Sequence, residues 1–158
     1  MPQEFINDLT KILNDYQERV ERAPKNIAKQ LFMRVINRTP IDFVRKDPKT
    51  VGSARANWIA SVQRFNKTIE SDLDEVGGKA PLLNTRGPTV IAMEDIVNNA
   101  DINSNPRIYL ANNVPYIRLL EYVGYSMQAP FGMRQVTLAE FPDLAEQVAR
   151  SERSRRVT

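Results

Sequence analysis

Apolar side chains at Phe5, Leu9, Ile12, Leu13, Tyr16 and Val20 stand three and four apart, and after Pro24 the spacing resumes through Ile27, Leu31 and Val35, with Phe32 and Ile36 widening the stripe. That period puts each set on one face of an α-helix. Charged and amide residues fill the opposite face, so the chain is expected to open on a long amphipathic helix with one buried stripe. Proline is tolerated in a first turn and kinks an interior, so either one helix bends at Pro24 or a second begins there. Thr39 precedes Pro40, a placement that disfavours the helical backbone at the threonine and ends the segment. The rest of the chain must supply the surface that receives the stripe.

Residues 40–56 contain two prolines, a glycine and no period, and are read as a loop. "NWIASVQRF" then alternates Trp58, Ala60 and Val62 with Asn57, Ser61 and Gln63, which predicts a strand with one buried face; Ile59 and Phe65 hint at cover on both. Residues 66–88 carry Gly77-Gly78, two prolines and scattered charge, and are read as a second long loop. Val90, Met93 and Val97 predict a short helix. "RIYLAN" predicts a second strand with Ile108 and Leu110 on one side and Tyr109 on the other. Pro115 is placed to open a helix that Gly124 ends. Phe141, Leu144 and Val148 mark a closing amphipathic helix, which starts early if Thr137 and Glu140 form a capping box and late if Pro142 lies in its first turn. Together these elements predict an α+β domain over residues 1–149: a long N-terminal and a C-terminal helix packed on a small, mostly antiparallel sheet. Residues 150–158 are read as a basic tail.

The 158 residues contain no Cys and no His, which excludes thiolate catalysis, disulfides, Cys/His zinc sites and the imidazole general base together. Ser53, Ser61 and Ser126 therefore have no imidazole to activate them, and no Gly-x-Ser-x-Gly or Ser-x-x-Lys surrounds them. "DINSNP" at 101–106 places oxygen ligands as a calcium loop does, but Pro106 stands where the turn needs Gly and Asn112 where a bidentate Glu belongs, so it is read as an Asx turn. The acids of "ESDLDE" at 70–75 are a weak magnesium candidate and are read as a solvated loop. Gly77-Gly78-Lys79 is too short to cradle a nucleotide. No metal, no cofactor and no enzymatic activity is expected.

The longest uncharged run, Tyr122 to Met133, is twelve residues broken by Gly and Pro, too short for the roughly 20 of a membrane helix. The N-terminus lacks the basic start and apolar run of a secretory signal, so a cytoplasmic site of synthesis is expected. The net charge of +3 matches that of the last nine residues, whose Arg150, Arg153, Arg155 and Arg156 suit phosphates or an acidic partner surface, or simply the end of a helix.

"VPYIRLLEYVGYSMQAPFGM", Val114 to Met133, holds three of the five tyrosines, and Tyr109 precedes it. Tyrosine and methionine are enriched at protein interfaces, the first for its wet end and the second for its adaptable shape. Tyr116, Tyr122, Tyr125, Met127, Phe131 and Met133 are therefore taken as candidate subunit-interface residues. Leu120 and Tyr109 serve equally well to close the core.

Three blocks resemble the tail-completion or neck proteins of long-tailed bacteriophages. "VINRTP" followed by "VGSARANW" is similar to that family's helix, Thr-Pro, Gly-x-x-Arg-x-x-Trp order. "YLANNVPYIRLLEYVGYSMQAPFGM" resembles its strand, Pro-Tyr, Glu-Tyr-Gly, Gln-Ala-Pro block, with Val123 standing between Tyr122 and Gly124. Met133, Arg134 and Thr137 then resemble the Met-Arg-x-x-Thr lead into the closing helix. The resemblance implies a structural virion protein, assembled in the host cytoplasm, whose copies form a ring, favoured as a hexamer. That ring would sit at the head-proximal end of the tail, meet the connector and tail-tube proteins, and keep the DNA channel continuous. The competing expectation is an accessory protein that contacts DNA non-specifically through the arginines; a metal-dependent nuclease using the acidic loop is the weakest.

Overall fold

The computed structural model describes residues 2–41, 53–62, 88–104 and 107–155. It is helix-rich with a two-stranded antiparallel sheet, an α+β arrangement. Of the predicted loop 66–88, residues 66–87 with the acidic run lie outside the described residues, and Pro88 opens a helix instead of closing the loop.

The opening stripe forms one helix, α1 (Pro2–Arg38), which passes through Pro24 without ending. At 1.5 Å per residue its 37 residues span about 55 Å. Proline at this position cannot donate to the carbonyl of Val20, and both residues face solvent, where water can take that bond. The buried stripe is realised only in the second half, where Val35 and Ile36 are buried and Ala28, Phe32 and Met33 pack against the core. Phe5, Ile6, Leu9, Ile12, Leu13, Tyr16 and Val20 are 43% to 67% exposed, which corrects the expectation of a stripe buried along its whole length. Among the described residues, the side-chain hydrogen bonds before Glu21 run along the helix, as in Arg19 to Asp15 and the Thr10 hydroxyl to the Ile6 carbonyl. The body begins at Glu21, which accepts from Asn103 Nδ2 at 2.6 Å, and at Arg22, which donates to Glu152 at 2.7 Å.

α1 ends at Thr39 as its proline neighbour requires, and three side chains fix that end. The Thr39 hydroxyl donates to the Val35 carbonyl at 2.8 Å and accepts from Trp58 Nε1 at 2.7 Å. Arg55 donates to the carbonyls of Asn37 and Thr39, both at 2.7 Å, so a buried guanidinium occupies the negative end of the helix. Burial draws its pKa below the ordinary arginine value. Arg55 sits on α2 (Ser53–Ala56), a helical turn within the predicted loop 40–56.

β1 (Trp58–Val62) pairs antiparallel with β2 (Ile108–Asn112) in the register Ala60 to Leu110. Only Ala60 of β1 is fully buried, the others being partly covered, so alternation is blurred as Ile59 suggested. α3 (Pro88–Asn98) covers one face, burying Val90, Met93 and Val97 with Ile36 and Ala60. A second cluster joins Val35, Ala54, Val114, Leu120, Ala129 and Met133. Trp58 and Leu110 touch both clusters, and neighbouring Val35 and Ile36 send one side chain into each.

α4 (Ile117–Tyr122) starts two residues after Pro115, with Tyr116 as its N-cap. α5 (Arg134–Ala139) takes up Thr137, whose hydroxyl bonds the Met133 carbonyl, and α6 (Phe141–Ser154) has Pro142 in its first turn. The closing helix therefore takes the late start with Pro142 in its first turn, and the capping box does not form: Thr137 lies inside α5, and the Glu140 carboxylate accepts from Arg34 and Arg38 instead. A boundary at Arg150 falls inside α6: Leu144, Val148 and Glu152, four apart, form its buried face against α1. The Asx turn at Asp101 is present, its carboxylate accepting from the backbone of Asn103 and Ser104 and from the Ser104 hydroxyl.

Candidate interaction surface

Between α4 and α5 the chain makes an eleven-residue excursion, 123–133, whose shape is dictated by side chains at its two ends and its middle. Glu121 is buried, and its carboxylate accepts from the backbone N–H groups of Met133 and Arg134 at 2.9 Å and of Gln135 at 3.0 Å. These are donors at the start of α5 that the helix leaves unpaired, so Glu121 caps α5 from twelve or more residues upstream. The close approach needs glycine at 132: its φ is +77°, and a Cβ there would lie 2.4 Å from the Glu121 carbonyl oxygen. Gly124, at φ +63°, likewise has the Pro130 carbonyl 2.9 Å from where its Cβ would be.

In the middle of the excursion Gln128 Nε2 donates to the Ile41 carbonyl at 2.7 Å, and Oε1 accepts from the Ile41 N–H at 2.9 Å. Ala129 is buried beside it. The excursion is thereby clamped to the segment that follows α1. Arg134 lies over the ring of Tyr122, 5.8 Å from its centroid.

On this scaffold Tyr125 (72%), Met127 (99%) and Phe131 (77%) face outward, and Tyr116 and Tyr122 are also exposed. Met133 is the exception among the candidate interface residues: it is fully buried in the second core cluster, because one step beyond Gly132 the chain turns inward to begin α5. Leu120 closes the core and Tyr109 is partly buried. Leu119 and Val123 belong to the surface and were missed by sequence reasoning; with Tyr116 and Tyr122 they follow the helical period on the outer face of α4.

The arginine candidates do not converge on one point. Arg150 is exposed and pairs with Glu146 along α6, Arg153 is exposed in the last turn, and Arg155 is exposed with Nη1 3.8 Å from Glu152. Arg156 lies outside the described residues. Glu152 itself faces inward, bonded by Arg22 at 2.7 Å and Asn26 Nδ2 at 2.9 Å. Burial pushes its carboxyl up, but Arg22 first, then Asn26 and Arg155, outweigh this and hold it below the usual range. Glu140, at the junction of α5 and α6, accepts from Arg38 at 2.5 Å and Arg34 at 2.6 Å, and those bonds keep its carboxyl low as well.

Among the described residues no cluster of acidic side chains is arranged to hold a metal ion, and no helix is long and apolar enough to cross a membrane. The blocks that carried the resemblance divide into two kinds. Thr39, Arg55, Trp58, Glu121, Gln128 and Gly132 build the scaffold; Tyr122, Tyr125, Met127 and Phe131 are what the scaffold displays. No family model, curated protein or solved structure matches the chain.

Proposed function

We propose that the chain is a structural subunit that binds other protein subunits through the surface around Tyr125, Met127 and Phe131. One observation carries this reading: large apolar side chains are exposed on a loop that two glycines, a buried carboxylate and an amide clamp hold in one shape. A pre-shaped aromatic surface loses little side-chain or loop freedom on binding, which is what makes such residues effective anchors. With the resemblance to phage tail-completion proteins, the reading becomes a virion component. Its copies form a ring, favoured as a hexamer, at the head-proximal end of the tail, between connector and tail tube, around the DNA channel. No catalysis and no cofactor enter this role.

Sedimentation velocity of the full chain, alone and mixed with tail tubes of a long-tailed phage, tests it. Concentration-dependent assembly, or capture on the tube ends, supports the reading; a monomer under both conditions overturns it. The second reading, an accessory protein on DNA, has the exposed Arg150, Arg153 and Arg155 in its favour. It requires DNA affinity that falls steeply with salt.

A further inference from the structure

The chain carries two large apolar surfaces that nothing among the described residues covers, and they lie at opposite ends of α1. The first is the arm formed by the helix before Glu21, where Ile6, Leu9, Leu13, Tyr16 and Val20 recur at alternating steps of three and four, flanked by Phe5 and Ile12. The second is the aromatic surface after α4. From their exposures the arm presents on the order of 800 Å² and the aromatic surface on the order of 1,000 Å², each matching the roughly 800 Å² per partner of a stable protein interface.

We propose that the arm of one copy lies on the aromatic surface of the next, so that copies assemble head to tail; this rests on the self-assembly reading above. The same copy cannot make the contact. The aromatic loop is clamped at Ile41 and packed on Val35, and Leu13 is about 33 Å away along a continuous helix, which cannot fold back on itself. Charge selects the aromatic surface over a second arm as the partner. Residues 2–20 hold four acids against two bases, so the net charge of two arms side by side opposes their pairing. From Val114 to Arg134 the charged residues are Arg118, Glu121 and Arg134; Arg134 Nε lies 3.8 Å from the buried Glu121 carboxylate, and the exposed Arg118 leaves the rim net positive for the acidic arm. An amphipathic helix laid on an apolar surface through such spacings is a familiar recognition mode. Two unlike patches on one chain also make a heterologous contact, the kind that propagates into a ring.

The test uses two variants of the full chain, each changed only at exposed residues: an arm variant, Leu9→Gln with Leu13→Gln and Tyr16→Gln, and a surface variant, Tyr125→Ser with Met127→Ser and Phe131→Ser. Each alone should keep the wild-type circular dichroism and self-associate about 30-fold more weakly or worse. Mixed in equal amounts they should form a one-to-one heterodimer that grows no further, because one intact arm then meets one intact surface. Wild-type assembly with no heterodimer in the mixture overturns the head-to-tail contact alone. A surface variant that assembles as wild type does, while the arm variant fails, assigns the arm to a second arm instead. A wild-type chain that stays monomeric removes the self-assembly reading and this contact with it.

Discussion

The side-chain amide of Gln128 makes both hydrogen bonds of a backbone-like pair with Ile41, 87 positions earlier, donating at 2.7 Å and accepting at 2.9 Å. It thereby couples the aromatic excursion to the end of α1, where Thr39 and Arg55 already fix the helix terminus. The shape of the displayed surface is thus set by residues that are not themselves on display.

Gln128→Ala should separate shape from contact. Losing two hydrogen bonds to partly buried backbone groups is expected to cost about 1–3 kcal/mol. Assembly should weaken by up to that amount, although Tyr125, Met127 and Phe131 are untouched, because the loop must then be ordered on binding. Thermal unfolding with sedimentation of the same samples checks it. Unchanged assembly would mean that the clamp does not shape the surface.

Glu121→Ala leaves three N–H groups at the start of α5 without their acceptor and is expected to cost about 2–4 kcal/mol. Glu121→Gln keeps one acceptor oxygen and should cost less. Gly132→Ala should be as harmful as the alanine cap variant, since it combines a left-handed backbone with a 2.4 Å approach to the Glu121 carbonyl. Denaturant melts rank the three; a neutral Gly132→Ala would contradict the described geometry.

Periodicity made α3, β1, β2 and the core of α6 legible, because each buries its face against the same chain. It also revealed the apolar face of α1, but a period says that a face is apolar and not which molecule covers it. Hence the exposure of Leu13 and Tyr16 came only with the structure. The Glu121 cap was hidden for another reason: the carboxylate and the helix it caps are separated by a whole loop, whereas capping signals are read locally. Met133 differs from Phe131 only by lying beyond a left-handed glycine, which reverses its direction. Glu152 looked like part of a solvated basic tail; it sits at the buried position that Leu144 and Val148 predict, and Arg22 and Asn26 meet it there.

That last pairing alters what truncation should do. A chain lacking residues 156–158, which keeps Glu152, serves as the reference. Removing 150–158 deletes Glu152 and leaves Arg22 and Asn26 without their partner, with an expected loss of about 1–3 kcal/mol. Equal stability of the two truncations would show that the pairing contributes nothing.

Stability should also fall on acidification, with a sign fixed by two carboxyls. Glu140 and Glu152 both bind protons less readily in the folded chain than the ordinary value of 4.5. Their contribution is therefore fully present above that value and is lost as pH falls through the lower folded values. With no histidine, the stability curve should be flat between about pH 6 and 8. Glu140→Gln with Glu152→Gln should be less stable at neutral pH and lose less below about pH 4.5. A double variant whose acid slope equals the wild-type slope would place the titration elsewhere.

The two kinds of residue within one motif can be told apart by substitution. Tyr125, Met127 and Phe131 touch little of their own chain, so replacing all three with Ser should leave the circular dichroism and melting temperature near wild type. Met133, only two positions after Phe131, fills the cluster with Val35, Leu120 and Ala129, and Met133→Ala should cost about 2–5 kcal/mol through the cavity it leaves. Assembly should respond in the opposite sense: abolished in the folded triple variant, and retained by Met133→Ala at temperatures where that variant remains folded. An unfolded triple variant would mean that these side chains support the core. A triple variant that still assembles would remove the aromatic surface from the interface.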